Sequence, residues 1–174
     1  MKNSTLLFRI LRFAIPSLLT LLWLGFIFNN SLQDSEASTN QSQQVQEIVN
    51  QVAESVGIKE PVPHSVIRKG AHFTEFAILG LLLCLDLVFF GIVRFSYKWY
   101  FSVLALITSV PLCAVFATVD ELLQNTAAGR APQTTDVLID TAGSLVSSFL
   151  FIGIYLLIRF LRMRKQANTS HKKS

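Results

Sequence analysis

Four long apolar runs separated by polar stretches set the organisation of the chain. They extend from Phe13 to Phe28, from Ala77 to Phe90, from about Tyr100 to Val119 and from about Val137 to Ile158. A hydrocarbon core about 30 Å thick is crossed by about 20 helical residues. Each run, with its flanks, therefore predicts a transmembrane helix, at about 10–28, 69–90, 99–119 and 136–158. The first run has the basic lead of a signal peptide. It is longer than a usual signal core, and no small-x-small cleavage site follows Phe28 closely, which favours an uncleaved helix.

Between the first two runs, residues 29–66 are polar, yet Val45, Ile48, Val49, Val52 and Val56 recur on one helical stripe. Gly57, Pro61 and Pro63 follow as stop signals. The stripe predicts a short amphipathic helix that caps the bundle or lies on the membrane surface, the alternative being a docking helix for a partner. Pro111 bends the third membrane helix, with Thr108 and Ser109 close enough to compensate its lost hydrogen bond. Gly143, Ser144, Ser147 and Ser148 give the fourth a small-residue stripe suited to close packing.

The fold class is thus all-α: an integral membrane bundle of four transmembrane helices with a short amphipathic helix in the first extracellular loop. A membrane domain over 13–160 lies between an N-terminal segment, 1–12, and a basic tail, 161–174. Composition agrees, since 51% of the 174 residues are hydrophobic and only 15% are charged. The net charge of +4 comes from basic residues that flank apolar runs. They form no stripe interleaved with aromatics, which argues against nucleic acid as a partner and for a lipid bilayer. Lys2, Arg9, Arg12, Arg94, Lys98 and the basic tail fall on one side of a four-crossing topology, and Lys59, Arg68, Lys69 and Arg130 on the other. The positive-inside rule then puts both termini in the cytoplasm. Cys84 and Cys113 fall at different depths of apolar runs, which disfavours a disulfide.

That topology gathers ionisable residues at the outer face. The second helix brings Arg68, Lys69, His72 and Glu75; the third ends in Asp120, Glu121 and Gln124; the fourth begins with Asp136 and Asp140; Arg130 lies in the last loop. Charge inside a membrane is costly, so such groups are paired or functional. Three roles fit them. Ion pairs of Arg68 and Arg130 with the carboxylates would pin the helices together. His72 with Glu75 and Glu121 or Asp120 would suit a divalent cation such as zinc or manganese. Finally, His72, Glu75, Asp120 or Glu121 would move protons while Arg68, Lys69 and Arg130 hold a phosphate or carboxylate. Asp86, by contrast, reads as a structural residue that reaches the interface or pairs with Arg94.

Arg68-Lys69-x-x-His72-Phe73-x-Glu75-Phe76, Asp120-Glu121-x-x-Gln124, Gly129-Arg130 and Asp136-x-x-x-Asp140-x-x-Gly143 resemble the successive motifs of VanZ-like membrane proteins. The resemblance spans about residues 65–160, and in that family asparagine is usual where Asp140 stands here. It implies a multi-pass protein of the bacterial cytoplasmic membrane. The namesake branch is associated with reduced susceptibility to teicoplanin, a glycopeptide with a lipid tail. The charged outer cluster itself suggests a lipid-linked envelope precursor or an anionic polymer as the ligand. A hydrolase or transferase acting on envelope lipids, and a structural or assembly protein, are the other readings.

Overall fold

The computed structural model describes residues 2–58, 60–90, 100–129 and 133–171, without the side chains of 2–9, 100–102 and 166–171. Lys59, Arg94, Lys98 and Arg130 lie outside the described residues, as does the end of the basic tail, 172–174. Among the described residues five helices follow in order: α1 (Lys2–Ser31), α2 (Ser35–Ser55), α3 (His64–Phe89), α4 (Tyr100–Gln124) and α5 (Thr134–His171). All but α2 are long and apolar enough to cross a membrane, so the protein is an all-α membrane bundle.

Helix ends depart from the apolar runs for local reasons. α1 continues past Phe28 through Asn29, Asn30 and Ser31. α2 begins ten residues before its apolar stripe because the Asp34 side chain accepts the Ala37 N–H at 2.8 Å, an N-cap that helps start the helix in an otherwise polar stretch. Gly57 follows it in the left-handed region, φ 91°. α5 runs on into the basic tail as far as His171; at about 1.5 Å per residue its 38 residues outrun a hydrocarbon core of about 30 Å.

α3 is the central helix and packs on all four others, most extensively on α5. Two glycines allow this approach. A Cβ at Gly80 would meet the Ser147 Oγ at 2.7 Å and the Ser144 Cα at 2.9 Å, and one at Gly143 would overlap the carbonyl oxygen of Phe73. The small-residue stripe of α5 is indeed core, with Ser144, Ser147 and Ser148 all buried. Ser109 of α4 and Ser148 of α5 share a hydrogen bond at 3.1 Å beside Cys84. Both cysteines are free and buried. Ser109 donates to the Ala105 carbonyl at 2.7 Å. It therefore does not serve the Ile107 carbonyl that Pro111 leaves without its helical donor.

Ile27, Phe76, Leu79, Cys113 and Ala117 form the apolar core at the junction of α1, α3 and α4. Yet among the described residues half of the buried ones are polar, and Asp120, Gln124, Asp136 and Asp140 are at most 2% exposed. The large apolar side chains point outward, Leu22 at 61%, Leu138 at 68% and Leu150 at 62% exposed. Lipid tails are as apolar as leucine, so burying leucine gains little and packing plus hydrogen bonding hold the helices together. Asp86 follows this rule: Ser17 and Thr20 of α1 donate to its two oxygens at 3.4 and 2.7 Å. Of the apolar stripe, Val45, Ile48, Val52 and the C-cap Val56 are exposed and Val49 is half-buried.

Candidate functional site

The C-terminal ends of α1 and α4 meet the N-terminal ends of α3 and α5 at one end of the bundle. Each of α3, α4 and α5 contributes ionisable or amide side chains one turn apart: Arg68 and His72, Asp120 and Gln124, Asp136 and Asp140. The close approach at Gly143 draws Asp140 toward His72, the neighbour of Phe73.

Gln124 sits at the centre. Its Nε2 donates to Asp120 Oδ2 at 2.9 Å, and its Oε1 accepts from Arg68 Nη2 at 3.2 Å. Arg68 also lies 3.8 Å from Asp136 Oδ2. His72 Nδ1 stands 4.0 Å from Asp120 Oδ2 and 3.8 Å from Asp140 Oδ1. The other oxygen of Asp120 accepts from the Ser31 hydroxyl of α1. Asp120, Asp136 and Asp140 are together nearly sealed from solvent, while among the described residues the basic groups within 4.0 Å of them are Arg68 and a histidine charged only when protonated.

Glu75 and Glu121 also hold neighbouring elements together. Glu75 Oε1 accepts from Asn30 Nδ2 at 3.0 Å, and its carbonyl accepts from Trp23 Nε1 at 2.9 Å, so this residue ties α3 to α1. Glu121 Oε1 accepts the backbone N–H of Gln133 and thereby holds the start of α5 to α4. Among the described residues, His72, Asp120 and Asp140 form the group whose ligand atoms lie within 4.8 Å of one another. Arg68, His72, Asp120, Gln124, Asp136 and Asp140 thus converge, Glu75 and Glu121 border them, Lys69 is exposed beside them, and Arg130 is outside the described residues.

Asn30, Ser31 and Trp23 of α1 join the border of the site through Glu75 and Asp120. Their signal is periodicity: Trp23, Asn30 and Ser31 lie seven and eight residues apart and share a face if the first helix runs past Phe28.

Three adjoining cavities run along α3. The first, about 420 Å³, is lined by Arg68, Lys69, His64 and Ser65 of α3, Ser35, Ser38 and Thr39 of α2, Gly129, Gln133 and Asp136. It is walled by the N-terminal turns of α2, α3 and α5. Ser35 N–H donates to the Ala128 carbonyl at 3.1 Å, which fixes α2 to the loop before α5. A smaller one, about 80 Å³, shares Ser38 and Arg68 with it and adds Asn30, Ser31, His72 and Glu75. The last, about 460 Å³, shares Ala71 and Glu75 with the second and is otherwise mostly apolar, lined by Trp23, Val45, Val49, Val66, Ile67 and Ile78.

The VanZ/LLP1 family model matches residues 17–160, most of the chain and all of the cluster. The chain belongs to the VanZ/LLP1 family. No curated protein and no solved structure matches it. The VanZ/LLP1 match includes α2 and the C-terminal half of α1, so Asn30 and Ser31 lie within the family's extent together with the motifs of α3 to α5.

Proposed function

We propose that this VanZ/LLP1 protein lies in the bacterial cytoplasmic membrane with both termini inside, and that its cluster engages a lipid-linked anionic envelope component at the outer leaflet. By doing so it lowers the access of teicoplanin-like lipoglycopeptides to the cell surface. The observation that carries this reading is the run of cavities along α3. Three helix N-termini, each equivalent to roughly half a positive charge, wall the first cavity together with Arg68 and Lys69. Backbone and side-chain donors at a helix start suit a phosphate. The apolar cavity between α1, α2 and α3 offers a place for the attached hydrocarbon. A phosphate joined to a lipid chain matches both ends of that run; a soluble polyanion matches only the first.

Teicoplanin susceptibility of cells producing Lys69→Ala, Arg68→Gln, His72→Ala, Glu75→Gln, Asp120→Asn or Arg130→Ala, at matched membrane expression, tests this reading. Reduced protection is expected, with Lys69→Ala the most informative because Lys69 is exposed on the cavity wall. Wild-type protection by every variant would sink it. A second reading, a metal-dependent or acid/base hydrolase or transferase acting on envelope lipids, is favoured by the grouping of His72, Asp120 and Asp140. Turnover of envelope lipids by the purified protein would decide for it.

A further inference from the structure

We infer that His72, Asp120 and Asp140 form a binding site for one divalent transition cation of the zinc or manganese class. One donor comes from each of α3, α4 and α5: an imidazole nitrogen and two carboxylate oxygens, the mixed set such ions favour. The His72 Nδ1 distances of 4.0 and 3.8 Å to the two carboxylates exceed by a few tenths of an ångström the roughly 3.4 Å between two ligands of a tetrahedral zinc. A side-chain adjustment of that size closes the set around an ion.

A group of acids is not by itself a site, and the independent observation is Asp140. Its Oδ1 is buried, accepts no hydrogen bond, and faces His72 Nδ1 from a side chain 1% exposed. A carboxylate oxygen buried without a donor is costly, and a cation supplies what no side chain among the described residues does. Asp120 is prepared in the complementary way. Ser31 donates to one of its oxygens and Gln124 to the other, the outer hydrogen bonding that orients a ligating carboxylate. Coordination through Nδ1 places the ring proton of His72 on Nε2.

Charge points the same way. Asp120, Asp136 and Asp140 are nearly sealed, and Arg68 is engaged by Asp136 and Gln124. A dication offsets the remaining negative charge at a depth where water does not. Through Gln124 the site stands one side chain away from Arg68 and the anion cavity. Three protein ligands leave a coordination position for water or an anionic oxygen.

The inference does not depend on the proposed ligand, since it is tested without one. Purified full-length protein in lipid nanodiscs is dialysed to equilibrium against ZnCl2 or MnCl2, and bound metal is measured by mass spectrometry. About one ion per chain is expected for the wild type and for Glu47→Gln on exposed α2. His72→Ala and Asp140→Asn should bind at least about tenfold more weakly. Ser31→Ala keeps all three ligands and should lose affinity by a smaller factor, which guards against a ligand variant that fails to fold. The inference is overturned by a wild type that binds no stoichiometric ion, or by equal affinity in wild type, His72→Ala and Asp140→Asn.

Discussion

Gly143 of α5 lies so close to the carbonyl oxygen of Phe73 in α3 that a Cβ there would overlap it. The contacting atom is backbone, which cannot swing away as a side chain end can. Gly143→Ala should therefore force the two helices apart and cost roughly 1–3 kcal/mol, read as a lower unfolding temperature in detergent. Gly25→Ala in α1, with nothing within 4 Å of its Cβ, should leave that temperature unchanged or raise it slightly. Equal effects at both positions would contradict the packing described.

Gln124 is the hinge of the polar cluster, donating to Asp120 and accepting from Arg68. Gln124→Met fills the same space but removes both bonds. It should destabilise the bundle by about 1–3 kcal/mol, as measured by equilibrium unfolding in mixed micelles. Gln124→Glu should restore the acceptor for Arg68 while placing a like charge beside Asp120, and so fall below wild type as well.

Asp86 offers a contrast within the same helix. Its oxygens accept from Ser17 and Thr20, far from the cavities. A double-mutant cycle of Thr20→Val with Asp86→Asn should give a coupling of about 0.6 kcal/mol, the usual size for a hydrogen bond between membrane helices. Teicoplanin susceptibility should not change in any of the three variants. A change there would move Asp86 out of its structural role.

Orientation can be read by labelling, because both native cysteines are buried. Glu36→Cys, exposed at the start of α2, should react with a membrane-impermeant maleimide in intact spheroplasts. Arg164→Cys should react only after lysis. The opposite pattern would reverse the proposed topology and place the cavities in the cytoplasm.

Much of this architecture was legible in the chain because lipid imposes a simple grammar. Runs such as Ala77 to Phe90 must be helical to satisfy their backbone, and the helices then bring Arg68, His72, Asp120, Gln124, Asp136 and Asp140 to one end. Which carboxylate faces which base was not legible. Glu75 accepts from Asn30 of α1, and His72 faces Asp120 of α4 and Asp140 of α5, contacts between helices that spacing along α3 alone does not specify. The full length of α2 was missed because its polar first half carries no apolar period. Only the Asp34 cap marks its start.

The arrangement of burial has a consequence for how the gene can vary. Asp120, Ser144 and Ser148 are sealed inside while Leu22, Leu138 and Leu150 face outward. Exchange among Leu, Ile, Val and Phe on the outer surface should be almost silent. Loss of a single hydroxyl or methylene among the small polar residues should be felt at once. A saturation map of this protein would look like the photographic negative of one from a water-soluble bundle, intolerant where that one is permissive.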